Sequence, residues 1–351
     1  MATLAQRDDA DLAAGLGRWW AQRVPDANAV EVAQLDRPAS GWSNEMLLAT
    51  MRWQAGGSER RRRIVVRLPP PVPTFPSYDL AAQARVLDVL ARSAVPVPRV
   101  VAFEEDAAWL GAPFLVMAHE AGRPGAEAPA LDPWLVDAPH EQQRRLHRDF
   151  VTTLASIHRV DWRSDELASV LRGGDLSLGG EIAWWTAYLD WAHDGAPPPA
   201  LADALAWCAA TTPVSEPPAS LCWGDARLGN VLCSDDYRIT AVLDWELASI
   251  GPAEMDLAWY LVLSELTDRF TGRTVPGFLP RADLVSRYED ALGRCIVDLE
   301  WHEIFALTRS VAINERQARM AAAAGVPYPG VAGDENPVLR HLVRRIERFR
   351  P

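Results

Sequence analysis

The sequence contains no lysine, and all 35 residues counted as lysine or arginine are arginine. This absence excludes every mechanism that depends on a lysine amine, including the Schiff bases of pyridoxal enzymes and the phosphate-binding lysine of a Walker A loop. Arginine keeps its proton at any working pH, so a guanidinium group can hold an anion but cannot act as a base. A general base in this chain must therefore come from another residue type.

Cysteine and long apolar runs are scarce as well. The four cysteines form no CxxC pair and no zinc-type spacing (Cys208, Cys222, Cys233 and Cys295). So few cysteines in 351 residues do not make a disulfide framework, which favours a reducing, cytoplasmic setting. No stretch approaches the ~18 apolar residues of a membrane span, and the first charged residues are mostly acidic, so neither a membrane partner nor a signal peptide is expected.

Positive charge is in deficit, because 35 basic residues face 47 acidic ones and the formal net charge is −12. A charge of this sign does not suit a nucleic-acid polymer as a partner. The apolar share of 49% and the length of 351 residues are typical of a globular chain with two domains or one two-lobed domain.

The first 118 residues combine two helical patterns with several short apolar runs. Residues 8–24 form an amphipathic pattern that predicts a helix, and residues 78–93 repeat apolar side chains at helical spacing. Turn signals separate five strand-like runs, at residues 30–35, 45–53, 64–68, 100–103 and 113–117. After the first helix this β-β-β-α-β-β order predicts a small antiparallel sheet with one main helix, which would form an N-terminal lobe of residues 1–118.

The remaining residues, 119–351, are mostly helical in pattern. A stretch rich in proline, glycine and alanine at residues 122–139 predicts a loop or an insertion on the substrate side. Beyond it, helical periodicity marks residues 141–159, 180–193, 201–210, 253–265, 281–297, 301–324 and 336–349. One β-like segment interrupts them at residues 221–250. We therefore expect an α+β chain whose second lobe, residues 119–351, is larger and mostly helical.

Polar side chains mark this β-like segment at three points. Asp225 and Asn230 belong to one tight loop, and Asp244 ends the strand that follows a short hairpin. Two carboxylates and an amide carbonyl suit a hard cation such as Mg²⁺, and an aspartate just ahead of such a site can accept a proton from an attacking hydroxyl. The alternative is that Asp225 and Asn230 only cap turns, as most loop aspartates and asparagines do. The combined spacing favours the chemical interpretation.

Two other catalytic patterns begin in the sequence but are not completed. Residues 41–45 start like a G-x-S-x-G nucleophile elbow, but Glu45 stands where the closing glycine is needed. His302 and Glu303 start an HExxH zinc-protease pattern, but Ala306 replaces the second histidine. Neither a serine hydrolase nor a zinc protease is therefore expected.

The β-like segment and the helix after it resemble a known family signature. WGDARLGNVL (residues 223–232) and AVLDWELASIGPAEMDLAWYL (residues 241–261) are similar to the motif of the aminoglycoside phosphotransferase family, whose members are small-molecule kinases built like the protein kinases. Upstream, SGWSNEML, RIVVRL and VPVPRVVAF extend the resemblance over most of residues 30–265. The chain is most similar to the subgroup related to the kinase-like domain fused to some acyl-CoA dehydrogenases.

The resemblance implies a two-lobed, protein-kinase-like α+β fold that uses ATP and Mg²⁺ to phosphorylate a hydroxyl group of a small molecule. Asp225 would be the catalytic base, and Asn230 and Asp244 would hold Mg²⁺ on the phosphates of ATP. Arg227 lies inside the same loop, where it would contact substrate or phosphate, or instead pair with a carboxylate such as Glu246.

The resemblance also assigns nucleotide-binding positions in the first lobe. Gly41, Ser43 and Asn44 would lie over the phosphates with their backbone N–H groups as donors. Chain atoms from Met117 to His119 would form hydrogen bonds with the adenine ring.

Three positions depart from the family pattern. Arg67 stands where the phosphate-binding lysine is usual, Gln83 aligns with the glutamate that normally pairs with that lysine, and Trp223 replaces a histidine. Arginine can pair with phosphate oxygens but needs a different geometry, and glutamine can accept a hydrogen bond from it. The paired change indicates either a retuned contact or a catalytically weak or inactive nucleotide-binding regulatory module.

The acceptor stays open at this point. The acidic composition suits a polycationic aminoglycoside. An aromatic cluster in the second lobe, and the subgroup resemblance, suit a hydroxyacyl or other partly apolar acceptor instead (Trp184, Trp185, Tyr188 and Trp191). The oligomeric state and the choice between ATP and GTP are not predicted.

Overall fold

The computed structural model describes residues 7–38, 44–163, 167–171, 175–215, 217–328, 330, 332–333 and 336–349. Gly41 and Ser43, which the sequence predicts to cover the phosphates, lie outside the described residues. The chain divides into two compact units. The first comprises residues 1–88, 98–119 and 317–329, and the second comprises residues 89–97, 120–316 and 330–351.

The first unit is built on a five-stranded antiparallel sheet with the strand order β1-β2-β3-β5-β4. The elements of this part of the chain are α1 (Asp9–Arg23), β1 (Asn28–Asp36), β2 (Glu45–Ala55), β3 (Ser58–Leu68), α2 (Leu80–Leu90), β4 (Val100–Glu104) and β5 (Phe114–Ala118). Strands β2 and β3 form the predicted hairpin, because Gly56 and Gly57 take φ values of 57° and 76° at its tip. The α+β class and the predicted antiparallel sheet are confirmed.

Helix α1 covers one face of this sheet and closes its core. The carboxylate of Asp8 caps the helix by accepting hydrogen bonds from the backbone N–H groups of Ala10 and Asp11. Gly15 allows the helix to approach the neighbouring loop, since a Cβ there would lie 2.1 Å from the carbonyl oxygen of Trp109. The apolar stripe of α1 is buried with inward-facing strand residues (Leu12, Leu16, Trp19, Trp20, Leu47, Met51, Ile64, Val66 and Phe114).

The second unit is mostly helical, as predicted. Its helices are α3 (Pro133–Val136), α4 (His140–His158), α5 (Leu167–Val170), α6 (Leu178–Ala192), α7 (Pro199–Ala210), α8 (Glu254–Thr271), α9 (Arg281–Leu292), α10 (Leu299–Ala324) and α11 (Pro337–Arg348), of which α10 continues into residues of the first unit. Its strands are β6 (Arg123–Pro124), β7 (Ala219–Cys222), β8 (Val231–Cys233), β9 (Ile239–Val242) and β10 (Ser249–Pro252). They form a three-stranded sheet, β6-β8-β9, and a two-stranded sheet, β10-β7.

Several predicted boundaries in the second unit were wrong. The expected loop at residues 122–139 contains β6, α3 and a short 3₁₀ helix, and α3 begins because the Asp132 carboxylate accepts a hydrogen bond from the N–H of Trp134. Helix α9 ends at Leu292, five residues before the predicted end, because Gly293 takes φ 84°. None of the described helices combines the length and apolar character needed to cross a bilayer.

Candidate active site

The loop that carries Asp225 joins β7 to β8, and a side chain of helix α8 binds its backbone. Asp256 on α8 is fully buried, and its carboxylate accepts hydrogen bonds from the backbone N–H groups of Trp223 and Gly224 at 2.6 and 2.8 Å. The Nε2 atom of His158 lies 3.0 Å from the same carboxylate. Asp256 therefore fixes the backbone immediately before Asp225, because two of its N–H groups are bound to one buried anion.

Gly224 gives the loop its close approach to the segment after Asp244. Its φ is 90°, in the region that favours glycine, and a Cβ at this position would lie 2.1 Å from the carbonyl oxygen of Leu247. A side chain there would push the loop away from residues 244–247.

The Asp225 carboxylate is held by three side-chain donors. Its Oδ2 atom accepts hydrogen bonds from Nε of Arg227 at 2.8 Å and from Nδ2 of Asn230 at 2.7 Å. Its Oδ1 atom accepts a hydrogen bond from the indole Nε1 of Trp259 at 2.8 Å. The Asp225 side chain keeps 17% of its surface exposed, so the carboxylate is fixed in place and still accessible.

Asp244 follows β9 and is brought to the same loop by backbone contacts. The N–H of Leu243 donates to the carbonyl oxygen of Asn230 at 2.8 Å, and the indole of Trp223 donates to the carbonyl oxygen of Asp244 at 3.1 Å. Asp244 itself has φ 59°, a left-handed conformation that aspartate tolerates better than most residues. The structure thus brings together the segments of Asp225, Asn230 and Asp244, as the spacing predicted.

Burial and neighbouring charges both shift the pKa values of the ionisable groups of this loop. The pKa of Asp225 is raised to about 7: desolvation is the largest cause and the nearby charge of Asp244 adds to it, while hydrogen bonds from Trp259 and Asn230 work against the increase. Burial lowers the pKa of Arg227, whereas the charges of Asp244 and Glu246 raise it. Arg227 keeps its positive charge, since a guanidinium group does not deprotonate in proteins.

Arg227 also contacts a residue that the sequence analysis did not single out. Its Nη1 atom forms an ion pair with the carboxylate of Glu127, which lies between β6 and the 3₁₀ helix. Glu127 covers the loop closely, because a Cβ on Gly229 would lie 2.6 Å from one of its carboxylate oxygens. Nothing in the sequence distinguishes Glu127 from other loop acids.

Trp259 is the second residue that sequence reasoning missed as a contact of Asp225. It lies on α8, three residues after Asp256, so both side chains occupy one face of that helix and point toward the loop. This i, i+3 relation was visible in the sequence, but only the fold reveals that the face meets Asp225.

The predicted nucleotide residues that the structure describes lie in the first unit. Arg67 on β3 stands opposite Leu115 on β5, and only 4% of its surface is exposed. Gln83 on α2 is equally buried. Met117 is the penultimate residue of β5. Just after this strand, the N–H of His119 donates to the carbonyl oxygen of Arg63 at 3.4 Å.

Asn44 precedes β2 and is half-buried. The roles predicted for these nucleotide residues, including the hydrogen bond between Arg67 and Gln83, stay predictions.

The loop offers a donor set that fits a hard divalent cation. Because the amide nitrogen of Asn230 is bound to Asp225, its carbonyl oxygen is the atom available to a ligand. Together with the carboxylate of Asp244 it makes an all-oxygen set beside Asp225, and oxygen ligands are the preference of Mg²⁺. The unfavourable effect of Asp244 on the charge of Asp225 is one that a cation between them would relieve.

A second group of metal-ligating side chains has a structural explanation. His158, Cys222 and Asp256 bring their ligand atoms within 4.8 Å of one another, and all three are buried. Both oxygens of Asp256 already accept backbone hydrogen bonds, and Sγ of Cys222 faces the carbonyl oxygens of Gly251 and Pro252 at 3.5 and 3.4 Å. This group therefore ties the loop to α8 and β10.

Sequence comparison extends the resemblance beyond the loop. The chain is 27% identical to human acyl-CoA dehydrogenase family member 11 over 264 residues, which is 72% of this chain and 32% of that protein. It is 30% identical to the chicken (Gallus gallus) protein of the same name over 237 residues, 66% of this chain and 28% of that one. The chain thus spans about a third of the length of these relatives.

Solved structures share the fold at low sequence identity. A proposed aminoglycoside phosphotransferase from Ralstonia eutropha JMP134 superimposes with a TM-score of 0.68 at 20% identity, covering 96% of this chain and 99% of that one. An ethanolamine kinase from Plasmodium vivax gives a TM-score of 0.57 at 10% identity, with 94% and 84% coverage. A macrolide 2'-phosphotransferase type I gives 0.55 at 18% identity, with 98% coverage of both chains.

The predicted kinase-like fold and the predicted family are confirmed by these comparisons. The family model described as the phosphotransferase enzyme family matches residues 34–295, which include the whole Asp225 loop and the sheet of the first unit from the end of β1 onward. The chain therefore belongs to the phosphotransferase enzyme family.

Proposed function

We propose that this protein transfers the γ-phosphoryl group of ATP to a hydroxyl group of a small molecule, in a Mg²⁺-dependent reaction. The observation that carries the proposal is the Asp225 carboxylate, which is held by three donors and kept accessible beside Asn230 and Asp244. Family membership supports phosphoryl transfer as the class of reaction.

Asp225 is the proposed general base. A carboxylate that is rigidly held but accessible can orient a hydroxyl group and receive its proton. Its raised pKa, about 7, supports this role, since a base works best when its pKa is close to the working pH. Arg227, next to it, is the proposed cation for the negative charge that spreads over the transferred phosphoryl oxygens.

Asn230 and Asp244 are the proposed ligands of Mg²⁺. The bound ion would supply positive charge to the phosphate oxygens of ATP. The backbone carbonyl oxygen of Asn230 accepts a hydrogen bond from the N–H of Leu243, the residue before Asp244. The side-chain amide of Asn230 donates to the carboxylate of Asp225. Both residues are thereby fixed relative to the proposed base.

The first unit is proposed to bind the nucleotide. Asn44, together with Gly41 and Ser43, would donate N–H groups to the phosphates, and chain atoms from Met117 to His119 would bind adenine. Arg67 would hold phosphate oxygens in place of the usual lysine, with Gln83 as its hydrogen-bond acceptor.

The proposed acceptor is a small hydroxyl compound, and two classes are the first to test. Similarity to the acyl-CoA dehydrogenase family members supports a partly apolar acceptor, such as a hydroxyacyl compound. The exposed carboxylate of Glu127 near the same loop supports an acceptor with an amine, such as an aminoglycoside.

A panel of hydroxyl compounds from both classes tests the proposal. ADP formation is measured with ATP and Mg²⁺, and the melting temperature is measured with and without the nucleotide. We expect ADP that depends on both acceptor and Mg²⁺. A protein that ATP stabilises against heat, but that forms no ADP with any acceptor, would instead be the nucleotide-binding regulatory module.

A further inference from the structure

The indole of Trp259 donates its hydrogen bond to a carboxylate in the candidate site. Two other buried indoles of the second unit donate to neutral oxygens, Trp162 to the backbone carbonyl of Ala219 and Trp301 to the hydroxyl of Thr211. Trp259 donates to the Oδ1 atom of Asp225 at 2.8 Å, with only 4% of the residue exposed. A buried indole is thus bonded directly to the proposed general base.

The hydrogen bonds of Asp225 leave one position for a further donor. An ionised carboxylate has about four lone-pair sites, two on each oxygen. Oδ2 uses two of them for Arg227 and Asn230, and Oδ1 uses one for Trp259. The remaining lone pair therefore belongs to Oδ1, beside the indole, on a side chain that is 17% exposed.

The indole is held so that it cannot turn away. The guanidinium group of Arg309 lies 4.8 Å from the centroid of the Trp259 ring, and Arg309 is itself only 2% exposed. The same guanidinium packs on Phe305 at 5.2 Å and on Trp185 at 5.7 Å. Since the terminal torsion of an aspartate is broad and soft, the donor on Oδ1, acting with the two donors on Oδ2, fixes the plane of the carboxylate.

We propose that Trp259 is a positioning residue for phosphoryl transfer: its N–H fixes the plane of the Asp225 carboxylate and leaves one lone pair of Oδ1 to receive the proton of the acceptor hydroxyl. This inference rests on the proposed role of Asp225 as base. In that step the O–H bond of the acceptor breaks and its proton passes to Oδ1. The hydroxyl oxygen bonds to the γ-phosphorus, and ADP leaves with the electron pair of the broken P–O bond.

Trp259→Phe tests the inference, because phenylalanine keeps an aromatic ring against Arg309 but removes the N–H. We expect kcat to fall by about 10- to 100-fold, the range for a lost hydrogen bond to a charged group, with KM for ATP and for the acceptor changed less than about threefold. Trp301→Phe is the matched control, since it removes an equally buried indole donor far from Asp225 in the chain. Its kcat should stay within about twofold of wild type even where its melting temperature falls.

A wild-type kcat in Trp259→Phe would overturn the inference while leaving the proposed function intact. Crystal structures of wild type and Trp259→Phe add a measurement that needs no turnover. We expect the Asp225 carboxylate to rotate or to occupy two conformers in the variant. A carboxylate that keeps the same plane in both would refute the inference, whereas a wild-type protein that forms no ADP would refute the proposed function instead.

Discussion

At the scale of single residues, the charge of Asp225 is disfavoured by burial and stabilised by three hydrogen-bond donors. Burial disfavours its charge and Asp244 adds to that effect, whereas the donors on Arg227, Asn230 and Trp259 stabilise the anion. Removing any one donor would disturb both the charge and the orientation of the carboxylate. The protonation of the Asp225 carboxylate is therefore sensitive to the binding of a cation or a hydroxyl group beside it.

Asp244→Asn tests the proposed metal ligand at the same scale. Asparagine tolerates the left-handed backbone at this position but lacks the charge. We expect the affinity for ATP to fall about 10- to 100-fold with Mg²⁺ present, as for the loss of one charged ligand, and to stay unchanged in EDTA. Isothermal titration calorimetry under both conditions measures this difference.

Asp236→Asn serves as the control for that experiment. Asp236 is an acid in the turn between β8 and β9, where its carboxylate accepts a hydrogen bond from the hydroxyl of Ser234. Its replacement should leave Mg²⁺-dependent ATP binding unaltered. If Asp244→Asn bound ATP and Mg²⁺ as wild type does, Asp244 would not be a metal ligand.

The sequence identified the polar residues of the site better than it identified their partners. Asp225, Asn230 and Asp244 stand out because oxygen-bearing side chains recur within one short segment. Trp259 and Glu127 do not, because they reach Asp225 and Arg227 from 34 and 100 residues away along the chain. Contacts of that kind depend on how α8 and the segment after β6 pack, which no local pattern encodes.

At the scale of elements, local signals explain what was predicted and what was missed. The β2–β3 hairpin was predictable because Gly56 and Gly57 provide the positive φ values that its turn needs. Helix α3 was missed because its four residues are too few to show a period. Helix α8 runs to Thr271 rather than ending near residue 265, because Gly272, with φ 63°, is the residue that ends it.

Gly224→Ala tests the close approach of the catalytic loop to residue 247. A methyl group would meet the Leu247 carbonyl at 2.1 Å and would force φ 90° on an alanine. Overpacking and backbone strain together should lower the free energy of unfolding by about 2–5 kcal/mol. Urea denaturation of the variant and wild type measures the change.

Gly17→Ala is the matched control for that substitution. Gly17 lies inside α1, and a Cβ there would meet nothing within 4 Å. Alanine should therefore stabilise the protein by about 0.5–1 kcal/mol. The interpretation of Gly224 would be wrong if both substitutions had the same effect.

At the scale of the whole molecule, two buried histidines connect stability to pH. Burial lowers the pKa of His147 to about 3 and, as the largest effect, lowers that of His302 to about 4. His147 accepts a hydrogen bond from the N–H of Leu279 at 2.8 Å, so its ring is neutral at that nitrogen. Between the folded values and the unfolded pKa of about 6.5, the unfolded chain therefore binds more protons than the native protein.

The two histidines should consequently lower stability as the pH falls below about 6.5, each by up to about 1.4 kcal/mol per pH unit. Asp225 offsets part of this slope, because its raised pKa means that the native protein binds the extra proton at that site. The free energy of unfolding from urea titrations between pH 7.5 and pH 5 measures this slope. His302→Gln should make the dependence on pH shallower, because one of the two groups is gone. Equal slopes for this variant and wild type would show that His302 does not titrate differently in the two states.

The most direct measurement of the central claim is phosphoryl transfer by Asp225→Asn in the presence of an acceptor that wild type uses. Asparagine matches the size of aspartate but cannot take up the hydroxyl proton. We expect transfer to slow by about 100- to 10,000-fold, the usual contribution of a general base, while calorimetry shows ATP affinity within about threefold of wild type. Transfer at the wild-type rate would contradict the assignment of Asp225 as the base.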